Sequence, residues 1–117
     1  MDYNALDGFL GRVGLLGSRK LKSLVATSAH RGIAGSIEIS YHDTYVVQIL
    51  DGGSRYRLFS GGWRPATTKS RIKQFSPARL FQKQGVWYLQ TSSGAVEFRE
   101  GIVIDSNGDP VEDQNNG

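Results

Sequence analysis

Cysteine is absent from the 117 residues, which excludes a disulfide framework, thiolate zinc sites and a cysteine nucleophile. The same absence fits a reducing compartment. No apolar run approaches the roughly 20 residues of a membrane helix, so no membrane association is expected. The first residues lack a basic lead followed by a long apolar stretch, and no secretory leader is expected. Two histidines occur, His30 and His42, without a recognised metal-ligand spacing. In Tyr41-His42-Asp43-Thr44 a base, a carboxylate and a hydroxyl adjoin. Neighbours on a strand point to opposite faces, however, which defeats a triad. Gly11 to Lys20 lacks the lysine-then-hydroxyl ending of a nucleotide-binding loop. With no nucleophile–base or carboxylate pair at suitable spacing, neither an enzyme nor a cofactor is expected.

The most informative absence is local. From Arg55 to Lys83 there is no Asp or Glu, although the stretch carries Arg55, Arg57, Arg64, Lys69, Arg71, Lys73, Arg79 and Lys83. Tyr56, Phe59, Trp63, Phe75 and Phe81 are interleaved, and the flanking acids are Asp51 and Glu97. The formal net charge of +3 therefore hides a polarised molecule. A one-sign block of this kind faces a polyanion or an acidic partner.

Three segments are expected. Residues 1–35 read as a glycine-punctuated N-terminal arm, with Gly8, Gly11, Gly14 and Gly17 at every third position. The run is too short for a collagen helix, so the expectation is a flexible leader. Its apolar residues Phe9, Leu10, Val13, Leu15 and Leu16 would dock on a partner or on a sister subunit. Within it, Leu21, Leu24 and Val25 at i, i+3, i+4 predict a short helix from Arg19 to Thr27, with Ser18 as its N-cap. Residues 36–104 read as a mainly β globular domain. Residues 105–117 are polar and acidic and are expected as a disordered tail.

Inside the domain, Ile37, Ile39 and Tyr41 alternate with polar residues, and Thr44 to Leu50 is β-branched and aromatic. Asp51-Gly52-Gly53 is a hairpin turn, and Arg55 to Phe59 returns as a strand. Thr67 or Thr68 caps a helix to about Phe75, with Ile72 and Phe75 buried. Lys69 and Lys73 share one face of it, and Pro77 ends it. Arg79–Gln82, Val86–Gln90 and Ala95–Ile104 complete the strands. The expected class is α+β, mainly β: an antiparallel sheet or small barrel of about six strands with one inserted helix.

The segment Ser60 to Ile72 is the richest local pattern. Two glycines allow a sharp turn, and Trp63 offers a flat surface to stack on a base or fill a core pocket. Thr67 and Thr68 at a helix N-terminus present N–H groups and hydroxyls suited to a phosphate. The bland alternative is a Trp63 plug, a threonine cap and a solvated basic face.

The blocks Tyr41-His42-Asp43-Thr44-Tyr45-Val46-Val47, Ser60-Gly61-Gly62-Trp63, Thr67-Thr68-Lys69-Ser70-Arg71-Ile72 and Gly85-Val86-Trp87-Tyr88 carry a resemblance. In this order the chain resembles a family of small, mostly uncharacterised proteins of tailed bacteriophages, over residues 39 to 90. Pro65 and Ala66 depart from that family's pattern, which has a further hydroxyl there. The resemblance implies a phage origin, and the expected location is the host cytoplasm. It implies no activity.

The first functional reading is a non-enzymatic nucleic-acid-binding module. Arg55, Arg57, Arg64, Lys69, Arg71 and Lys73 would meet phosphates of DNA or RNA, Thr67 and Thr68 would add donors, and Phe59 and Trp63 would stack on bases. The alternative is an effector that binds and inhibits an acidic host protein, with Trp63 or Tyr45 as its buried anchor. A third reading is a virion or assembly component that self-associates through the arm.

Overall fold

The computed structural model describes residues 2–62 and 66–111. Its strands are β1 (Ser18–Lys20), β2 (Thr27–Arg31), β3 (Ile37–Tyr41), β4 (Thr44–Leu50), β5 (Arg55–Leu58), β6 (Leu80–Lys83), β7 (Val86–Thr91), β8 (Gly94–Glu97) and β9 (Ile102–Asp105). Helix α1 (Tyr3–Leu10) leads the chain, and α2 (Ala66–Phe75) sits between β5 and β6. The protein is mostly β, as the alternation predicts. One antiparallel sheet has six strands in the order β1-β2-β3-β4-β5-β9, and a second has three, β6-β7-β8.

Register explains the layering. Ile37 and Ile39 pair with Ile49 and Val47, which pair with Tyr56 and Leu58, which pair with Ile104 and Ile102. Side chains alternate along a strand, so these residues line one apolar face. Both helices cover that face. Helix α1 buries Leu6 and Leu10, and α2 buries Thr68, Ile72 and Phe75 at i, i+4, i+7. The three-stranded sheet adds Leu80, Trp87 and Leu89 to the same cluster. Each buried side chain of this size stabilises by roughly 1.5–3 kcal/mol. The other face of the large sheet carries the polar row Ser18, His30, Glu38, Gln48 and Arg57, in register across five strands.

The N-terminal segment differs from a flexible arm, because its residues complete the sheet and its core. Asp2 caps α1 by accepting from Ala5 N–H at 2.9 Å, and the Tyr3, Leu6, Leu10 stripe packs inward. Gly8 lies inside that helix, which ends at Gly11. Arg31 then ties the following loop down through Val13 O at 2.6 Å, Gly11 O at 2.8 Å and the Asp7 carboxylate at 2.7 Å. The helix expected over Arg19–Thr27 is instead β1, a turn and the start of β2. The ladder to β3 competes better than a lone three-residue apolar stripe.

Three further expectations are corrected. His42 and Asp43 form the β3–β4 turn rather than strand, with His42 at φ 54°. Thr67 and Thr68 lie inside the first turn of α2, not before it. Ala95–Ile104 is not one strand. Phe98 drops into the core against Trp87, and Gly101 at φ 81° redirects the chain from the small sheet to the large one.

The start of the expected disordered tail is also structured. Asp105 Oδ1 accepts from Asn107 N–H and Asp109 N–H. Pro110 then bridges Ile104, and Val111 N–H donates to Val103 O. Short-range carboxylate bonds fold this polar segment without a core of its own. The rest of that tail, residues 112–117, lies outside the described residues.

Candidate functional site

The basic block is continuous in sequence but divided in space. Arg55 and Arg57 alternate with Tyr56 and Leu58, so they stand on the polar face of the large sheet, away from the helices. Arg55 is paired with Asp51 at 2.5 Å and sits opposite Asp105 in the ladder. Arg57 lies between Gln48 and Val103. On the apolar side, α2 carries Lys69, Arg71 and Lys73. Sheet thickness therefore separates the two groups, and the expected site is not one surface.

Among the α2 cations, Arg71 is fixed. Its Nε donates to Thr27 Oγ1 at 2.9 Å, its Nη1 donates to Gln74 Oε1 at 3.1 Å, and its guanidinium lies 5.6 Å from the Tyr41 ring centre. Lys69 is half-buried and Lys73 exposed, one turn apart. Among the described residues, neither has a carboxylate partner. Thr67 is exposed, whereas Thr68 is buried. Phe59 is half-buried, its N–H bound to Val46 O at 3.0 Å. Trp63 and Arg64 lie outside the described residues.

A cleft of about 140 Å³ opens beside these groups, lined by Tyr41, His42, Thr44, Ser60, Gly61 and Thr68. The bulge between Ile39 and Ser40 leaves Val46 as the extra residue of β4, and it closes the cleft floor. One wall is the glycine loop. Its donors are already occupied: Glu100 accepts from Ser60 N–H at 2.7 Å, from Gly61 N–H at 3.0 Å and from the Ser60 hydroxyl. Gly61 has φ 75°, and a Cβ there would meet Thr44 Cγ2 at 2.7 Å, so both backbone and space require glycine. The loop is an anion nest holding an internal carboxylate. Glu100 is distant in sequence, and no local pattern marked it.

Sequence reasoning also missed the polar face around His30. His30 Nε2 and Ser40 Oγ share a hydrogen bond of 2.8 Å, and the Tyr45 ring meets the imidazole edge-on at 5.2 Å. Burial holds the His30 pKa below its ordinary value, partly offset by Glu38. A second missed group surrounds the edge strand β1. Lys20 and Lys22 are exposed there, and Arg19 is drawn onto Phe9 through the ring and the Phe9 carbonyl. Among the described residues, no group of three or more His, Asp or Glu is placed to hold a metal ion. No described helix is long and apolar enough to cross a membrane.

The family model of the Kyanoviridae Gp96 protein matches residues 17–105. The chain belongs to this phage protein family. The Gp96 match starts before β1 and ends with β9, so it takes in the whole six-stranded sheet, the whole three-stranded sheet and α2. The matched range contains residues 39 to 90, over which a phage protein family was expected. Neither a curated protein nor a solved structure matches the chain significantly.

Proposed function

We propose that this phage protein is a non-enzymatic nucleic-acid-binding module whose phosphate contacts centre on α2. The observation that carries the reading is the outer surface of that helix. Lys69 and Lys73 stand one turn apart on one flank of the helix without a carboxylate partner among the described residues, while Arg71, two residues from each, lies on the other flank, ordered by Thr27 and Gln74. An ordered guanidinium loses little further entropy on meeting a phosphate. Arg55 contributes less, because Asp51 neutralises it. The glycine loop contributes side-chain placement rather than anion capture, since Glu100 fills its donors.

The test is fluorescence anisotropy with labelled single- and double-stranded DNA and RNA at three salt concentrations. Three phosphate contacts give a log–log salt slope near −2 on single strands, at about 0.7 per contact. Lys69→Ala/Lys73→Ala flattens that slope by about 1.4. Affinity that ignores salt refutes the reading.

A second reading rests on a different surface. Leu15, Leu16 and Ile33 are exposed at the end of the β1–β2 pair where Leu16 N–H donates to Arg31 O, and Val25 is exposed at the opposite end, with Lys20 and Lys22. An edge strand with exposed apolar turns at one end and lysines at the other suits an acidic host protein, and the same edge suits self-association in an assembly. A stoichiometric acidic protein captured from host lysate and lost in Leu16→Asp would favour it over nucleic acid.

A further inference from the structure

The outer face of the three-stranded sheet carries a pattern that the α2 surface does not use. Leu80, Trp87 and Leu89 turn into the core. The opposite face therefore presents Phe81 and Lys83 of β6, and Tyr88 of β7. Arg79 extends this edge, because Gln90 N–H donates to Arg79 O and continues the ladder. Arg79, Phe81 and Lys83 thus share one side at successive alternate positions. Phe81 and Tyr88 stack across the strands, with centroids 5.4 Å apart and planes 20° from parallel. Both rings are half-buried, while Arg79 and Lys83 are exposed.

We propose that this face is a stacking platform for unpaired bases of single-stranded nucleic acid. The bases lie on Phe81 and Tyr88, and the phosphates follow Arg79 and Lys83 along β6. The proposal rests on the nucleic-acid reading and adds a second contact surface and a strand preference. Charge sets the direction of the backbone. Glu97 lies opposite Tyr88 on β8 and repels phosphate, whereas the β6 side carries Arg79 and Lys83, of which Arg79 also faces the Asp109 carboxylate nearby. Ring faces accept any base, so the contact is sequence-tolerant, and a duplex has no free base face to offer.

Anisotropy with a labelled oligothymidine and with a duplex of the same length tests it, using the full chain. Phe81→Leu/Tyr88→Leu keeps the apolar volume but removes the rings. It should weaken oligothymidine binding on the order of tenfold or more, at unchanged salt slope. Arg79→Gln/Lys83→Gln should instead flatten the slope by about 1.4. Glu97→Gln should tighten binding. Circular dichroism and the urea midpoint confirm that each variant is folded. Oligothymidine binding that survives Phe81→Leu/Tyr88→Leu and Arg79→Gln/Lys83→Gln, yet is lost in Lys69→Ala/Lys73→Ala, overturns the platform and leaves the α2 reading standing. Absence of wild-type binding to every nucleic acid overturns both. Equal affinity for polyglutamate, insensitive to Phe81→Leu/Tyr88→Leu, overturns the platform in favour of an acidic protein.

Discussion

Removing the Glu100 carboxylate tests the tertiary reading of the glycine loop most directly. In Glu100→Ala, Ser60 N–H and Gly61 N–H lose the carboxylate as acceptor, and the Ser60 O–H loses it too while its oxygen still accepts from Gly62 N–H. Gly61 is exposed, so water replaces the carboxylate there at small cost. Ser60 is only 4% exposed, so its amide pays most of the desolvation penalty. A buried donor left unmade costs about 1–3 kcal/mol, which gives about 2 kcal/mol for the substitution. An unfolding entropy of about 2.1 cal/mol/K per residue converts this to a fall in Tm of about 8 °C for a chain of this length. Glu100→Gln keeps one acceptor oxygen without the charge and should fall about half as far. Differential scanning calorimetry gives the Tm, and amide hydrogen exchange gives the local effect. Exchange should accelerate at Ser60 and Gly61 before it does in β5. A Tm within about 2 °C of wild type, with protection unchanged at these amides, would refute the carboxylate clamp.

Other consequences follow from single contacts. His30 resists protonation more in the folded protein than its ordinary value of 6.5 implies. Folded stability is therefore full above about that pH and falls as pH drops through the lower folded value. Urea midpoints between pH 7.5 and pH 5 should decline in wild type and flatten in His30→Gln. Arg31→Ala removes the bonds that hold Val13, Gly11 and Asp7, so limited proteolysis should cut within residues 11–17 while β3–β5 stay protected. Trp87→Ala opens a cavity against Phe98 and should cost about 3–5 kcal/mol in chemical denaturation. The Ser92 N–H and hydroxyl hold the Asp109 carboxylate below its usual range, helped by nearby Arg79. Its contribution is present above the ordinary carboxylate range and fades as pH falls through the lower folded value. Asp109→Ala should accordingly speed exchange at Ser92 at neutral pH.

By itself the sequence determined the β character and most turns. Alternation at Ile37, Ile39, Val47 and Ile49 commits those residues to one buried face whatever the neighbours are, and Asp51-Gly52-Gly53 and Gly85 set the hairpins locally. It also determined α2, because Ile72 and Phe75 recur at helical spacing. The expectation of a phage protein family agrees with the family match. Tertiary structure decided the rest. Leu21, Leu24 and Val25 carry a helical spacing, but the free β2 edge offers Ser18 to Lys20 a ladder, and long-range pairing won. Glycine spacing in the first residues could not reveal α1, whose stability comes from burying Leu6 and Leu10 beneath the sheet. The acid-free run from Arg55 to Lys83 holds only along the chain. Folding brings Asp51 onto Arg55 and Glu100 into the Ser60–Gly61 loop, and places the Arg55 and Arg57 side chains on the face of the sheet opposite α2. Charge adds along a sequence regardless of direction, but a binding surface requires side chains that point the same way. Only the pairing of distant strands fixes that direction.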